Sequence, residues 1–286
     1  MSSFITHLAY KGDRHTPTII LSDGENFSPV GKTVSLSFSM SERFCVGWHD
    51  ISIGEDHPCP EQATTTAKFS MCIACQKRTG FNPAFYHADK VSPQQEARNA
   101  EPHLLYLAYM GTDYIKVGIT WEKRGINRLL EQGARSSILL DTFPSALIAR
   151  QYEEQIARLH NIHETTLTRV KLDLLNKPYS PNTATEDLLT AKQHIEQSLS
   201  VTFSGSEVLH FDEVYSSSKI LDLQEITALS GPEISGTVEA FIGDILIARY
   251  ENRRVALPLK QYIGYPVEIS DGLRPLDLEP QQMMLF

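Results

Sequence analysis

The sequence has no long hydrophobic run and no excess of glycine or proline. None of its apolar segments reaches the roughly 18 residues that a membrane-spanning helix needs, and its start, MSSFITHLAYKGDR, lacks the basic and apolar regions of a signal peptide. Of the 286 residues, 41% are hydrophobic, which is enough to form a large core. These features exclude disordered, fibrous and α-helical membrane proteins. They predict a cytoplasmic globular protein of about two domains.

Basic residues are also scarce. The chain has 26 Lys and Arg against 35 Asp and Glu, and its formal net charge is −9. An acidic protein is normally a poor candidate for nucleic-acid binding. However, the excess of acid lies entirely in residues 151–286, while residues 1–150 are balanced. A balanced half can still present a basic face, so the net charge does not exclude a nucleic-acid partner.

Cysteine is rare and clustered. The four cysteines share one segment of 31 residues: Cys45, Cys59, Cys72 and Cys75. Because disulfides are disfavoured in the cytoplasm, such a cluster predicts a metal site. The C-x-x-C pair at 72–75 would supply two thiolates to zinc from one tight turn. His49 and His57 lie nearby in the sequence and are alternative ligands.

This zinc ion is expected to be structural. Four protein ligands leave no open position on the metal for a substrate. The segment has little hydrophobic core of its own, so metal binding would supply its folding free energy. Two other interpretations stay open, namely unrelated buried thiols and redox chemistry.

A β-hairpin is predicted over residues 104–120. Two runs rich in β-forming residues, 104–109 and 114–120, flank a turn at 110–113. Folding about Gly111 places Tyr106 opposite Lys116. Alternation then places Gly118 and Thr120 on the same face. Such a face suits the close approach of a ligand, although an ordinary hairpin exposed to solvent has the same pattern.

A helix, a strand and a second helix are predicted to follow. The first helix, 124–134, has an apolar stripe and carries Arg124 and Arg128 on another face. A strand is expected over 136–142. The second helix, 145–162, carries Glu153 beside its apolar face, with Glu154 next to it. The order is therefore hairpin, arginine-bearing helix, strand, glutamate-bearing helix.

This pattern resembles the GIY-YIG nuclease domain over residues 104–162. The similarity is to the branch in which lysine replaces the second tyrosine of the motif, and the first motif here reads Leu-Leu-Tyr. The matching pieces are Tyr106, the KVGIT sequence at 116–120, the RLL sequence at 128–130, and Glu153. Over 43–162 the chain also resembles a bacterial family described only as a domain of unknown function. That family joins a cysteine motif, here FCVGW and CIAC, to a KVGIT and RLLEQGA segment.

The resemblance implies a metal-dependent DNA endonuclease acting in DNA repair or processing. Tyr106 would act as a general base or orient the attacking water. Lys116 would lower the pKa of that tyrosine and bind phosphate. Arg128 would stabilise charge in the transition state. Glu153 would hold one catalytic Mg²⁺.

Several assignments stay open within this hypothesis. Arg124 competes with Arg128, and Glu154 competes with Glu153. Arg124, Gly118 and Thr120 are also candidate substrate-binding residues. RNA is an alternative to DNA as substrate. The rival functions are a catalytically weak, zinc-containing nucleic-acid-binding adaptor and a metalloprotein with a small-molecule role.

The expected fold class is α+β, divided into consecutive regions. Short strands at 18–21 and 33–38 and a helix at 185–198 are predicted outside the centre, together with C-terminal strands at 236–242, 245–250, 253–258 and 265–269. The regions are a β-rich zinc-binding module (1–100), a GIY-YIG-like domain (101–165), a helical or loop connector (166–205), a small antiparallel β domain (206–275) and a flexible tail (276–286).

The last five residues, QMMLF, resemble the bacterial sliding-clamp-binding motif. The matching residues are Gln282, Met283, Leu285 and Phe286. A short disordered segment of this kind can bury its apolar side chains in a preformed groove. The resemblance implies recruitment to the DNA polymerase sliding clamp, and hence a cytoplasmic protein associated with the nucleoid.

Overall fold

The computed structural model describes residues 3–66, 68–81, 91–216, 223 and 225–278. Within these ranges the chain forms eighteen β-strands and seven α-helices. The strands are β1 (Ile5–Lys11), β2 (Thr16–Leu21), β3 (Asn26–Phe27), β4 (Thr33–Phe38), β5 (Arg43–Phe44), β6 (Trp48–Asp50), β7 (Glu55–His57), β8 (Thr64–Thr65), β9 (His103–Gly111), β10 (Tyr114–Trp121), β11 (Ser136–Phe143), β12 (Ile162–His163), β13 (Val208–His210), β14 (Ile226–Ala228), β15 (Glu233–Ile242), β16 (Ile245–Tyr250), β17 (Arg253–Pro258) and β18 (Val267–Asp271). The helices are α1 (Ile73–Thr79), α2 (Pro93–Asn99), α3 (Asn127–Gln132), α4 (Ala146–Ala157), α5 (Thr168–Leu175), α6 (Pro181–Leu199) and α7 (Asp212–Tyr215).

The central sheet has the strand order β12-β10-β9-β11-β13. Its hairpin, α3, β11 and α4 follow each other in the predicted order. Helix α3 is shorter than predicted because residues 122–124 form a separate 3₁₀ turn and Gly133 ends the helix at φ +79°. Helix α4 ends at Ala157, and the next segment forms β12, which pairs in parallel with β10.

The two faces of β9 belong to different hydrophobic cores. Leu105, Leu107 and Tyr109 pack with residues of α4 and α6. Tyr106 and Ala108 face the other way, into a core shared with α3 and the second large sheet. This second face was expected to be polar and open to a ligand. Instead, Tyr106 and Ala108 are buried in a core that includes residues of α3 and α5, because strand residues on one face pack wherever another apolar element covers them.

The second large sheet has the strand order β14-β17-β16-β15-β4-β18. Strand β4 comes from the predicted 1–100 module, yet it lies between β15 and β18 of the predicted 206–275 domain. These two regions therefore fold together and share one sheet. Similarly, β13 lies in the 206–275 region but pairs with β11 of the central sheet.

A three-stranded sheet, β1-β2-β3, covers the outer face of the six-stranded sheet. Apolar residues of the two sheets, such as Ile5, Ile19, Leu36 and Leu246, form one core between them. The inner face of the six-stranded sheet carries Ile245 and joins the core around α3. Strands β16 and β17 are therefore buried on both faces over most of their length.

A buried ion pair connects the central sheet to α7. Arg135, just before β11, donates from Nε to Oδ1 of Asp212 over 3.0 Å, and its Nη2 bonds the second carboxylate oxygen. Both side chains are almost completely buried. The guanidinium also lies over the ring of Tyr179, 3.8 Å from its centroid. Such a two-pronged geometry compensates for removing both charges from water.

The C-terminal end of α3 packs against the β15–β16 turn at two glycines. A Cβ on Gly243 would lie 2.8 Å from the backbone nitrogen of Gly133, and both residues have positive φ. The two backbones are thus too close for any side chain at Gly243. This contact fixes the position of α3 on the six-stranded sheet.

The expected α+β class is confirmed, with a four-cysteine cluster near the N-terminus and antiparallel C-terminal strands. Among the described residues, no helix combines the length and the apolar character needed to cross a bilayer.

Candidate metal centre and candidate active site

The four cysteines converge on one point. Their Sγ atoms all lie within 4.8 Å of one another, and the Sγ atoms of Cys59 and Cys72 are 4.0 Å apart. Four sulfurs around a tetrahedral zinc ion, each about 2.3 Å from the metal, would be about 3.8 Å apart. The cluster could therefore hold a metal ion such as zinc.

Backbone N–H groups point at the sulfurs. The amide of Cys72 donates to Sγ of Cys45 over 3.1 Å, and the amide of Cys75 donates to Sγ of Cys72 over 3.5 Å. Burial raises the pKa of Cys45 and of Cys75. It also opposes ionisation of Cys59, but hydrogen bonds from the backbone of Ala63 and Glu61 and from neighbouring thiols lower the pKa of Cys59 to about 7. Such donors stabilise thiolates, as second-sphere groups do in metal sites.

The two histidines have other partners. Nδ1 of His49 lies 2.8 Å from a carboxylate oxygen of Asp56. The ring of His57 stacks on Trp48 with centroids 4.5 Å apart. The cluster of potential ligands in the described residues consists of the four thiols, without either histidine.

The register of the β9–β10 hairpin differs from the expectation. Tyr106 pairs with Gly118, and Lys116 pairs with Ala108. The prediction that Tyr106 faces Lys116 directly is wrong because β9 continues to Gly111 and a bulge precedes Ile115. The turn lies at Thr112 and Asp113, and Asp113 has φ +62°. Both side chains nevertheless lie on one face, with Lys116 Nζ 5.9 Å from the Tyr106 ring centroid.

The hydroxyl of Tyr106 is held inside the protein. The residue is only 1% exposed. Nε2 of Gln132, in α3, donates to its oxygen over 3.0 Å. Burial raises the pKa of Tyr106, while the positive charge of Arg128 and the hydrogen bond from Gln132 oppose that shift. The expected lowering of this pKa by Lys116 is therefore replaced by a net rise caused by desolvation.

Lys116 is a buried amine. Its Nζ donates to the carbonyl of Val117 over 3.3 Å. Burial, together with the charge of Arg128, lowers the pKa of Lys116 to about 8, although Glu153 and Glu164 act in the opposite direction. The side chain can therefore change its charge just above neutral pH.

Glu153 lies on the inner side of α4, close to this lysine. Burial raises the pKa of its carboxyl group, while Arg150 and Lys116 oppose the rise. Nη1 of Arg150 lies 2.7 Å from the Glu153 carboxylate and 3.2 Å from that of Glu164. Arg150 thus bridges two carboxylates at the edge of the cluster.

Some of the remaining candidate residues belong to the cluster around Tyr106 and Lys116, and others do not. Of the competing pairs, Glu154 is exposed and bonds Arg158. Arg124 forms an ion pair with Glu131, and Arg128 lies 4.0 Å from the same carboxylate oxygen. The positive charge of Arg128 opposes the rise in the pKa of Tyr106, and Glu153 is buried close to Lys116. The cluster therefore contains Arg128 and Glu153. Thr120 is buried on the same face of β10.

Sequence reasoning missed three residues of the cluster, namely Gln132, Arg150 and Glu164. Gln132 follows Arg128 by four residues on one helical face, a spacing that was available from the sequence. Arg150 and Glu164 meet only because the segment after α4 turns back toward β10, which the sequence pattern did not reveal.

The predicted clamp-binding residues Gln282, Met283, Leu285 and Phe286 lie outside the described residues. Comparison with curated proteins and with solved structures yields no match. A family model does match, over residues 31–267. These residues include the four cysteines and the residues grouped around Tyr106 and Lys116, here called the Tyr106 cluster. The chain belongs to the family described as "Protein of unknown function (DUF2797)".

Proposed function

We propose that this protein is a metal-dependent endonuclease that hydrolyses phosphodiester bonds of DNA in repair or processing. The observation that carries the proposal is the grouping of Tyr106 with three charged residues: Lys116 Nζ lies 5.9 Å from the Tyr106 ring centroid, and Arg128 and Glu153 are close enough for their charges to influence the pKa values of both Tyr106 and Lys116. Two cations and one carboxylate beside a phenol form a chemically suitable set for binding a phosphate group and an attacking water. The resemblance to GIY-YIG nucleases supports the same assignment.

The cationic residues and Tyr106 are assigned different roles in the proposed reaction. Lys116 and Arg128 would bind the phosphate oxygens, and Arg128 offers a fork of donors to the charge that develops in the transition state. Because burial raises its pKa, Tyr106 keeps its proton in the free protein at neutral pH. We therefore assign to Tyr106 the orientation of the attacking water rather than the removal of its proton.

Glu153 is the residue that would hold Mg²⁺. One carboxylate suits this ion, which keeps several of its own waters. Glu153 already pairs with a cation, Arg150, and Arg150 has a second partner in Glu164. A metal could thus replace Arg150 at Glu153 without leaving the arginine unpaired. Bound there, Mg²⁺ would neutralise charge on the phosphoryl group.

The four-cysteine cluster is proposed to bind one zinc ion with a structural role. The separation of the sulfurs and the N–H groups that point at them support this assignment. Four thiolate ligands would fill the coordination sphere and leave no place for substrate.

Recruitment to the DNA polymerase sliding clamp is a further part of the proposal. It rests on the sequence of residues 282–286 alone. Tethering to a clamp that already encircles DNA would raise the local concentration of substrate. This would offset the net charge of −9, which weakens direct attraction to DNA.

Cleavage of DNA tests the enzymatic proposal. Flapped, gapped and duplex DNA are incubated with the wild-type protein and Mg²⁺, and with Tyr106→Phe and Glu153→Gln. We expect nicking by the wild type and a loss of at least 100-fold in both variants, the order of magnitude of removing one catalytic group. Glu154→Gln is the matched control, because this neighbouring carboxylate is exposed. Equal activity in all four proteins, or none in any, refutes the proposal.

A second function is favoured by one observation. The hydroxyl of Tyr106 is deeply buried and accepts a hydrogen bond from Gln132, which suits a structural role for this residue rather than contact with a reacting phosphate. The alternative is therefore a catalytically weak adaptor that binds nucleic acid at Lys116 and Arg128. In that case RNA or DNA binds with strong salt dependence but remains uncut in the assay above.

A further inference from the structure

The segment around the last two cysteines exposes apolar side chains to solvent. Phe69 is 49% exposed and Ile73 is 73% exposed. They are four residues apart, so their Cα atoms are separated by at most about 14 Å. Cys72 lies between them in the sequence, and its backbone is fixed by the hydrogen bond to Sγ of Cys45. The two apolar side chains are thus presented on a firmly held segment.

Lysines accompany both apolar residues. Nζ of Lys68 lies 5.3 Å from the centroid of the Phe69 ring. Lys77 follows Ile73 by four residues on α1, so both project from one side of this helix. We call Lys68, Phe69, Ile73 and Lys77 the cysteine-segment face.

The sequence segment that carries this face is more basic than the whole chain, although the adjacent β6–β7 hairpin, which contacts α1, carries Asp50, Glu55 and Asp56. Residues 61–81 contain three basic residues, Lys68, Lys77 and Arg78, and one acidic residue, Glu61. The chain as a whole has a net charge of −9. A zinc ion bound to four thiolates would add a net charge of about −2 beneath this face, so attraction of phosphate would depend on the two exposed lysines and not on the net charge of the segment. The lysines project from the exposed side.

We infer that the cysteine-segment face binds single-stranded nucleic acid, with a base stacked on Phe69 and phosphates beside Lys68 and Lys77. An exposed aromatic ring with adjacent cations is the combination that recognises unpaired strands, because every base offers a flat face and every phosphate a charge. Paired bases are stacked on each other and cannot occupy the ring in this way. The inference does not require cleavage at the Tyr106 cluster.

Fluorescence anisotropy with a labelled thymidine oligonucleotide, without added Mg²⁺, tests this inference on the full chain. We expect Phe69→Ala to weaken binding about 5- to 150-fold, the usual effect of losing one stacked base. Phe69→Trp should bind at least as tightly as the wild type. Lys77→Gln should reduce the salt dependence. Leu167→Ala is the control, since Leu167 is also an exposed apolar side chain, at 71%, and lies outside this segment.

Three results would overturn the inference. The first is unchanged oligonucleotide binding in Phe69→Ala. The second is equal loss in the Leu167→Ala control. The third is self-association of the wild type that Phe69→Ala abolishes while oligonucleotide binding persists, since the face would then bind a second copy of the chain. Nicking of duplex DNA by Phe69→Ala is measured separately, so that failure of this inference is distinguished from failure of the nuclease proposal.

Discussion

The ring of Tyr106 lies on the backbone of Gly118. A Cβ atom added at Gly118 would be 2.3 Å from the phenolic oxygen and 2.5 Å from the carbon that bears it. Real Cβ atoms do not approach other atoms so closely. The glycine in the KVGIT sequence is thus explained by packing: it makes room for the tyrosine side chain of the neighbouring strand.

Gly118→Ala should therefore displace Tyr106 and destabilise the protein by about 1–3 kcal/mol, the usual cost of overpacking a core. Chemical denaturation measures this change. In a Tyr106→Leu background the same substitution should cost less, because the ring is absent. A cost that is equal in both backgrounds would show that the ring does not require the glycine.

Asp212→Asn should destabilise the protein by about 3–5 kcal/mol. The substitution leaves the buried charge of Arg135 without its counter-ion, which costs far more than an intact pair contributes. Glu154→Gln serves as the comparison, since its ion pair with Arg158 is exposed and should contribute less than about 1 kcal/mol. Similar effects of the two substitutions on the free energy of unfolding would contradict the assignment.

Binding of nucleic acid at the Tyr106 cluster should weaken as the pH rises. The pKa of Lys116 is lowered to about 8, so the ammonium form dominates below this pH and the neutral amine above it. Only the ammonium form attracts phosphate. The affinity for duplex DNA, measured at constant ionic strength between pH 7 and 9.5, should fall through this window. Because bound phosphate favours the charged form, the midpoint should lie above 8.

Lys116→Arg provides the control for this pH dependence. Arginine keeps its charge throughout the range, so the affinity of the variant should be nearly constant with pH. Circular dichroism would establish that the larger side chain is accommodated. A wild-type affinity that is independent of pH would mean that Lys116 does not contact phosphate.

Protein purified without added metal should contain one zinc ion per chain by elemental analysis. The chain has two tryptophans, and Trp48 packs against the cysteines. In Trp121→Phe, which leaves Trp48 as the single tryptophan, a chelator should change the emission as the cysteine segment unfolds. Cys72→Ser should give the same emission without chelator. Four freely reactive thiols and much less than one zinc ion would refute the metal site.

Deletion of residues 282–286 should abolish binding to purified sliding clamp. Burial of three apolar side chains, at roughly 1.5–3 kcal/mol each before the cost of ordering, allows micromolar affinity for the intact chain. Surface plasmon resonance compares the two proteins. Thermal unfolding should be unchanged by the deletion. If the deleted chain binds as well as the intact one, or neither binds, the proposed recruitment is wrong.

Local features of the fold could be predicted from the sequence. Strands β4, β16 and β17 have the predicted bounds, because alternating apolar residues and their flanking turns are encoded within each segment. The convergence of the four cysteines could also be predicted, because they lie within one short segment and two of them form a C-x-x-C pair. The metal itself stays a prediction.

Features that depend on distant segments could not be predicted. A bulge near Tyr114 pairs Tyr106 with Gly118 and not with Lys116. Both registers keep the same residues on each face of the hairpin, so the sequence pattern does not distinguish them. Burial of the Tyr106 face depends on α3, whose position is fixed by the contact between Gly133 and Gly243. The bridge from Arg150 to Glu153 and Glu164 likewise arises only in the folded chain.

The position of β4 between β15 and β18 has a consequence for biosynthesis. Ser35 and Ser235, whose hydroxyl oxygens are 2.8 Å apart, are separated by 200 residues of chain. At a synthesis rate of about 5–20 residues per second, β4 leaves the ribosome roughly 10–40 s before its partner strands exist. During this interval its apolar side chains need protection, which a chaperone or the β1–β2 hairpin can provide. The six-stranded sheet therefore forms only after translation is nearly finished, and folding is expected to be slow.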